Sequence, residues 1–256
     1  MPELAFEVQG RGPGLVLVHG TGSTPAGTWG PCIAELAASH TVVLPYLPGS
    51  GNSVLPDGAE LDMGEIAAQI ADVATEAGLE NFAIAGASLG GPIAVKVAAM
   101  FPERVSHVVS VCGFARPRTG LRLRQEIYRS VLPLGEDVVG RLLLLFGLTE
   151  EAAAQMPDEM LQGMIGQIGS APTPGTRQQI ALTLATDVEA DLALVEAPAL
   201  VIAGIHDNFV DPVHSREMAA GIKGARLLEL DGGHGLMFEK SAEVSGAINE
   251  LIRSAD

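Results

Sequence analysis

The sequence predicts a doubly wound α/β fold, in which helices cover both faces of a mostly parallel β-sheet. The first observation is that short apolar runs alternate along the chain with segments of helical periodicity. The second is that most of these runs are apolar throughout, which is typical of strands buried on both faces. The third is size, because 256 residues with 47% hydrophobic content can bury one large core.

Six apolar runs are expected to form strands. In chain order they lie at residues 15–18, 41–44, 82–85, 105–111, 199–202 and 227–230. The helices between them have recognisable ends: Asp62 and Glu65 resemble a capping box, and Gly78 has the position of a C-terminal cap. Asp211 precedes Pro212 at the start of a later helix, and a last amphipathic helix is expected over residues 241–253.

The alternation stops between residues 114 and 190, where helical periodicity continues without a convincing strand. We interpret this segment as a helical lid inserted into an α/β core of residues 1–113 and 191–256. Its helices are expected near residues 121–132, 136–147, 149–169 and 175–187, separated by proline and glycine.

Four residues of this segment are candidates for contact with a substrate. Met156, Met160 and Met164 have helical spacing and would line one helix face, where they either pack against neighbouring helices or form an adaptable apolar wall. Phe146 ends an apolar run that begins at Leu142. These residues favour an apolar small-molecule substrate.

Charge and composition exclude several classes of partner. A formal net charge of −16 argues against nucleic acid or an anionic membrane surface. There is no apolar run of about 18 residues to span a bilayer and no secretory signal at the N-terminus, so a cytoplasmic protein is expected. The two cysteines, Cys32 and Cys112, lack metal-ligand spacing and are expected to be small buried residues, so neither a metal nor a cofactor is expected. A monomer or a homodimer is compatible with the sequence.

One local cluster departs from this acidity. Five of the fifteen basic residues fall close together, at Arg116, Arg118, Arg122, Arg124 and Arg129. They indicate either the solvated face of a helix or a docking patch for an acidic partner, such as an acyl carrier protein.

The candidate nucleophile is Ser88, in the pentapeptide Gly-Ala-Ser-Leu-Gly at residues 86–90. This pentapeptide joins the predicted strand 82–85 to a helix, and a sharp strand-to-helix turn leaves no room for side chains beside the serine. The turn lifts the hydroxyl clear of the sheet. It also places the serine at a helix N-terminus, where unpaired N–H groups can receive a developing negative charge.

A serine hydroxyl needs a general base that is oriented by a third group. His234 is the candidate base, because it lies in a glycine-rich loop after the last predicted strand. Asp207 follows the strand 199–202 and is the candidate acid that accepts the Nδ1–H of His234. Asp211 is its competitor, but capping of the next helix explains that residue.

Acyl transfer also requires donors for an oxyanion. The amide of Leu89, directly after the nucleophile, is one. The second is expected from the loop of residues 19–23, with Thr21 preferred and Gly20 as the alternative. This loop could instead cradle phosphate, but its glycine spacing matches neither the dinucleotide nor the phosphate-loop pattern.

Taken together, these motifs resemble the α/β-hydrolase superfamily over essentially the whole chain. His19-Gly20 resembles the oxyanion loop of that family, residues 86–90 its nucleophile elbow, residues 101–105 the end of the helix behind the elbow, residues 204–207 its acid turn and Gly233-His234 its histidine loop. The triad also has the family order. The resemblance implies an eight-stranded, mostly parallel sheet, a lid inserted after the sixth strand, and hydrolysis of an ester-like bond.

The expected function is therefore a serine hydrolase that cleaves an ester, a lactone or a thioester of a largely apolar metabolite through an acyl-enzyme. Ala87 stands before the nucleophile, where many relatives have a larger residue, and a serine at position 88 argues against epoxide- or haloalkane-cleaving members. Perhydrolysis, carbon–carbon cleavage and a lyase or cyclisation step could use the same triad. A non-catalytic ligand-binding protein is the alternative from a different class.

Overall fold

A computed structural model describes residues 2–254 and contains one seven-stranded sheet with the strand order β1-β3-β2-β4-β5-β6-β7. The strands are β1 (Phe6–Gln9), β2 (Gly14–Val18), β3 (Thr41–Pro45), β4 (Phe82–Ala87), β5 (Val105–Val111), β6 (Ala199–Gly204) and β7 (Arg226–Leu230). β1 pairs antiparallel with β3, and all the other pairs are parallel. The predicted mostly parallel, doubly wound fold is confirmed.

Helices lie on both faces of this sheet and above it. They are α1 (Pro25–Trp29), α2 (Pro31–Ala37), α3 (Met63–Glu76), α4 (Gly90–Met100), α5 (Thr119–Val131), α6 (Glu136–Gly147), α7 (Glu150–Ala154), α8 (Asp158–Gly169), α9 (Thr176–Ala185), α10 (Glu189–Leu192), α11 (Val213–Gly221), α12 (Leu236–Glu239) and α13 (Ser241–Arg253). A short 3-10 helix, Leu132–Leu134, connects α5 to α6. Within residues 2–254, no helix combines the length and the apolar character needed to cross a membrane.

The hydrophobic core is divided into two layers by the sheet. Alternate residues of a strand face opposite layers, so Val16 packs with α3 and α4 on one side, whereas Leu17 packs with Trp29 and α13 on the other. Both strand residues are fully buried. Burial on both faces explains why the central strands are apolar throughout. Because these strands are parallel, their carboxyl ends lie at the same edge of the sheet.

The strand count differs from the eight strands that the resemblance implied. The sheet formed by residues 2–254 has seven strands, since β1 alone lies beyond β3 at that edge. The helical segment therefore follows the fifth strand, β5, rather than the sixth. β1 itself was not predicted, because it is an edge strand in which Glu7, Val8 and Gln9 are exposed and the apolar pattern is weak.

Residues 114–190 form helices α5 to α9, the 3-10 helix between α5 and α6 and the first residues of α10, and contain no strand. We call these residues the cap segment. Its expected helices near 121–132 and 136–147 are confirmed as α5 and α6, but the expected helix 149–169 is divided into α7 and α8. Pro157 has no N–H and disfavours helical geometry at the preceding residue, so α8 begins only after it. Separation of the chain into a core and a lid subdomain stays a prediction.

The division of this helix makes the predicted methionine stripe wrong. Met156 lies in the bend before Pro157, outside α8, and cannot share a helix face with Met160 and Met164. Met160 is 56% exposed. The structure thus gives no support to an apolar substrate wall made of these three residues.

Candidate active site

Ser88 lies in a strained turn between β4 and α4. Its φ of 53° is in the left-handed region, which costs a residue with a side chain about 1–3 kcal/mol. Both flanking positions require glycine: a Cβ on Gly86 would overlap the carbonyl oxygen of Gly90, and a Cβ on Gly90 would overlap that of Val18. The close approach of β2, β4 and α4 therefore explains why positions 86 and 90 are both glycine. The turn places Ser88 at the carboxyl end of the sheet.

Asp207 and His234 meet at the carboxyl ends of the neighbouring strands β6 and β7. His234 Nδ1 and Asp207 Oδ2 are 2.7 Å apart, and Asp207 Oδ1 accepts the amides of Phe209 and Val210, each at 2.8 Å. The Asp207 side chain is 1% exposed and that of His234 17%. Because the carboxylate accepts the Nδ1–H, the imidazole keeps Nε2 as its basic nitrogen, without a protein partner among residues 2–254.

Asp211, the competing acid, lies at the start of α11. Its Oδ1 accepts the Val213 amide at 2.9 Å, and its carbonyl oxygen accepts the His214 amide at 2.9 Å. These are the contacts of a helix cap. The structure therefore brings Asp207, and not Asp211, to His234.

The loop of residues 19–23 approaches the nucleophile closely. A Cβ on Gly20 would lie 3.2 Å from Ser88 Cβ. The Gly20 amide donates to Thr28 Oγ1 at 3.2 Å, whereas the amides of Thr21 and Leu89 donate to no acceptor within residues 2–254. Of the two predicted donors in this loop, the geometry favours Thr21 because Gly20 is already occupied.

His19 connects this loop to the loop after β3. Its Nε2 accepts the Leu47 amide at 2.9 Å, so its Nδ1 carries the proton and donates to the Gly20 carbonyl at 2.8 Å. Burial lowers the pKa of His19 to about 4, and the ring is therefore neutral at pH 7. His19 acts here as a fixed connector between two backbone segments.

Two residues of α9, which the sequence analysis missed, hold the loop from the cap side. Gln179 is fully buried; its Oε1 accepts the Gly22 amide at 2.7 Å, and its Nε2 donates at 3.0 Å both to the Pro48 carbonyl and to Ser50 Oγ. Thr183 Oγ1 lies 2.9 Å from Thr21 Oγ1. Gln179 thus connects the loop of residues 19–23 to the loop after β3.

An aromatic cluster borders the histidine. The ring of Phe209 packs edge-on against His234 with centroids 5.2 Å apart, and Phe146 stacks on Phe209 at 5.4 Å. Tyr128 packs edge-on against the same Phe209 at 6.5 Å. The structure therefore brings the predicted Phe146 to the site, together with Phe209 and Tyr128, which were missed because they lie far apart in the sequence.

Cys112 lies beneath the acid and the base. Its Sγ falls within 4.8 Å of ligand atoms of Asp207 and His234, a spacing that a metal ion could use. However, burial and the adjacent Asp207 carboxylate raise the pKa of the Cys112 thiol well above its usual range. A neutral thiol is a poor metal ligand, and Asp207 already accepts three hydrogen bonds. Cys112 is therefore better suited to pack beneath the Asp207–His234 pair, away from water, than to bind a metal ion.

Comparison with known proteins assigns the family. A family model described as "Alpha/beta hydrolase family" matches residues 15–247 of this chain. The chain belongs to the alpha/beta hydrolase family. The order of Ser88, Asp207 and His234 along this alpha/beta hydrolase agrees with the family order noted from the sequence.

Curated relatives of this alpha/beta hydrolase match it along nearly its whole length. It is 30% identical to a pyrrolizixenacetamide deacetylase of Xenorhabdus hominickii, over 99% of this chain and 96% of the relative. It is 32% identical to a putative carbamate hydrolase, RutD, of Azorhizobium caulinodans, over 98% and 93%. It is 28% identical to a pimeloyl-[acyl-carrier protein] methyl ester esterase of Stenotrophomonas maltophilia, over 96% and 95%.

A solved structure supports the same assignment. The thermophilic esterase from Thermogutta terrifontis, with malate bound, superposes with a TM-score of 0.84 at 26% identity, over 98% of this chain and 93% of that one. The whole chain, including the cap segment, thus has a counterpart among solved alpha/beta hydrolases.

Proposed function

We propose that this alpha/beta hydrolase cleaves an ester-type bond through an acyl-enzyme formed on Ser88, with His234 as the base and Asp207 as the acid. The observation that carries the proposal is the 2.7 Å hydrogen bond between His234 Nδ1 and Asp207 Oδ2. It fixes the tautomer that a general base requires and leaves Nε2 available. The strained Ser88 lies at the carboxyl end of the same sheet, where the neighbouring loops carry this pair.

The chemistry follows from the groups at the site. His234 Nε2 takes the proton of Ser88 Oγ as that oxygen attacks the acyl carbon, and the amides of Leu89 and Thr21 stabilise the negative oxygen. The imidazolium then gives its proton to the leaving group, which departs and leaves the acyl group on Ser88. His234 next removes a proton from water, the resulting hydroxide attacks the acyl carbon, and Ser88 regains its proton as the acid is released.

The substrate class follows from the aromatic cluster and from the relatives. Phe146 and Phe209 present apolar ring surface next to His234, which favours a largely apolar group beside the reacting carbonyl. The relatives are named for cleavage of an amide, a carbamate and a methyl ester, all of which are acyl bonds to a heteroatom. We therefore assign an apolar small molecule carrying an ester, lactone or thioester as the substrate.

A carrier protein is a weaker candidate for the substrate, although one relative is named for a carrier-bound ester. Such a partner is acidic and would need the arginine cluster of residues 116–129, in and just before α5. Arg116 pairs with Asp187 at 3.7 Å, Arg118 with Glu217 at 3.0 Å, and Arg122 donates to the Leu184 carbonyl at 2.9 Å. Much of the cluster thus stabilises this chain, and the net charge of −16 would repel an acidic protein.

Replacement of the nucleophile tests the proposal. Ser88→Ala is expected to lower kcat on p-nitrophenyl butanoate by about 10⁴-fold or more, because no other side chain can form the acyl-enzyme. The far-ultraviolet circular dichroism spectrum is expected to remain unchanged. A fluorophosphonate probe is expected to label the wild-type chain and not the variant.

Ser130→Ala is the matched control, since Ser130 lies on the exposed face of α5 and bonds only to the Glu126 carbonyl. It is expected to keep both activity and labelling. Normal turnover by Ser88→Ala would disprove the catalytic assignment. A wild-type chain that is folded but neither labelled nor active on any acyl ester would indicate the non-catalytic alternative.

A further inference from the structure

Tyr128 presents a hydroxyl that the fold does not use. The residue lies on α5 and is 1% exposed, yet its oxygen has no hydrogen-bond partner among residues 2–254. Burial raises the pKa of this phenol, so it remains a protonated donor at all working pH values. Leaving a buried hydroxyl unpaired costs about 1–3 kcal/mol, and such a group requires an explanation.

This hydroxyl lies against the loop that carries the proposed oxyanion donor. It lies 2.8 Å from the point that a Cβ on Gly22 would occupy, directly after Thr21, whose amide is the proposed oxyanion donor. The ring of Tyr128 contacts Phe209, and Phe209 contacts His234. Tyr128 therefore stands between the oxyanion loop and the base, on the cap side of the site.

The hydroxyl also differs from the other unpartnered polar atoms of the chain. Ser110 Oγ and Ser245 Oγ are sealed from solvent, whereas the Tyr128 oxygen keeps a trace of exposure. A sealed atom cannot meet a ligand. The Tyr128 hydroxyl retains that access, and Thr176 Oγ1, 3.0 Å from the same point beside Gly22, is the other polar group there.

We propose that the Tyr128 hydroxyl donates a hydrogen bond to a second oxygen of the substrate, close to the scissile carbonyl. This inference rests on the proposed function, and it narrows the substrate to acyl compounds that carry an acceptor such as a 3-oxo group. The apolar walls formed by Phe146 and Phe209 then hold the hydrocarbon part, while Tyr128 recognises the polar part. A site with a buried donor discriminates strongly against analogues that lack the acceptor, because the donor is left unpaired.

The test uses two p-nitrophenyl esters of similar size, the 3-oxobutanoate and the butanoate. In the wild-type hydrolase, kcat/KM is expected to be higher for the 3-oxo ester. Tyr128→Phe is expected to lower kcat/KM for the 3-oxo ester about tenfold and to change that for the butanoate by less than about twofold. The ratio of kcat/KM for the 3-oxo ester to that for the butanoate is compared between wild type and variant, because this comparison removes the difference in intrinsic reactivity of the two esters.

Tyr46→Phe is the matched control, because Tyr46 is the other tyrosine of the chain and its hydroxyl donates to Glu7 at the surface. It is expected to leave both esters unchanged. If Tyr128→Phe lowers kcat/KM equally for the two esters and also lowers the free energy of unfolding, the hydroxyl has a structural role and the proposal is overturned. The proposal is also overturned if kcat/KM falls for neither ester.

Labelling separates this proposal from the proposed function. Tyr128→Phe is expected to be labelled by the fluorophosphonate probe as the wild type is, because the variant keeps Ser88 and His234. If the wild-type chain is labelled and hydrolyses both esters without preference for the 3-oxo compound, the Tyr128 proposal fails alone. If it is not labelled at all, the proposed function fails first.

Discussion

The acid side and the oxyanion side of the site are held by different parts of the molecule. Asp207 is fixed by the amides of Phe209 and Val210, two and three residues further along the chain, and by His234 on the adjacent strand end. The oxyanion loop of residues 19–23 is fixed by Gln179, which is separated from Gly22 by 157 positions. Asp207 is thus held by local contacts of the core, whereas the oxyanion loop depends in part on the cap segment.

This difference has a functional consequence. The Asp207–His234 pair lies on β6, β7 and their loops, and one backbone contact joins it to the cap segment, from the Gly235 amide to the Gly147 carbonyl at the end of α6. The orientation of the base is therefore expected to survive changes in α9, which makes no such contact within residues 2–254. Placement of the Thr21 amide depends on α9, so a change in the cap alters stabilisation of the oxyanion without altering the base. Variants on the two sides are therefore expected to affect different steps and different pH profiles.

The largest expected effect comes from the acid side. In Asp207→Asn, the amide oxygen can still accept the amides of Phe209 and Val210, so the loop is kept, but the side-chain NH₂ no longer accepts the Nδ1–H of His234. The wrong tautomer is then favoured, and kcat on p-nitrophenyl butanoate is expected to fall by about 10³- to 10⁴-fold. Asp211→Asn, which changes only a helix cap, is expected to stay close to wild type. An equal or larger loss in Asp211→Asn would mean that the acid is wrongly assigned.

A smaller effect is expected from the oxyanion side. Gln179→Met keeps the volume of the side chain but leaves the Gly22 amide, the Pro48 carbonyl and Ser50 Oγ without their shared partner. Misplacing one oxyanion donor is expected to lower kcat by about 10- to 100-fold, with little change in KM. The pH at which kcat/KM rises to half its maximum is expected to stay constant, because the Asp207–His234 pair is untouched.

Two further variants make this measurement specific. Gln178→Met changes the neighbouring glutamine of α9, which points elsewhere, and is expected to leave kcat unchanged. Gln179→Glu restores the acceptor for Gly22 but not the two donors, and is expected to recover part of the lost rate. A shift in the pH profile of Gln179→Met would show that the two sides are not independent.

The sequence predicted the parts of the fold and of the site that have local causes. The elbow at Ser88, the strand-end positions of Asp207 and His234, and the capping role of Asp211 follow from glycine placement, strand order and helix starts. The bounds of α6 follow from the flanking glycines. In each case a few residues that are neighbours in the sequence determine the geometry, so the feature can be recognised from one sequence.

Features with distant causes were missed or wrongly predicted. Gln179 and Tyr128 lie on helices of the cap segment, and nothing in the sequence around them indicates that Gln179 contacts Gly22 or that Tyr128 packs against Phe209. β1 was missed because an exposed edge strand needs little apolar patterning. The methionine stripe was wrong for a local reason, since Pro157 interrupts the helix that the spacing of Met156 and Met160 assumed.

The smallest expected effect concerns His19, the tie that holds the oxyanion loop from the core side. Burial holds its pKa in the folded chain at about 4, below the ordinary value of 6.5, so the unfolded chain binds a proton first as the pH falls. His19 therefore contributes full stability above pH 6.5 and loses it progressively towards pH 4. Between pH 7 and pH 5 the loss is expected to be about 2 kcal/mol in the free energy of unfolding.

Urea unfolding at the two pH values, compared with the same measurement on His19→Gln, isolates this contribution, because every other titrating group is present in both chains. The variant is less stable at pH 7, since the connection between the Gly20 carbonyl and the Leu47 amide is altered, but its stability is expected to fall by about 2 kcal/mol less on acidification. Equal pH dependence in both chains would show that His19 can be protonated in place. In that case the neutral, buried ring of His19 would not be what makes the fold sensitive to acid.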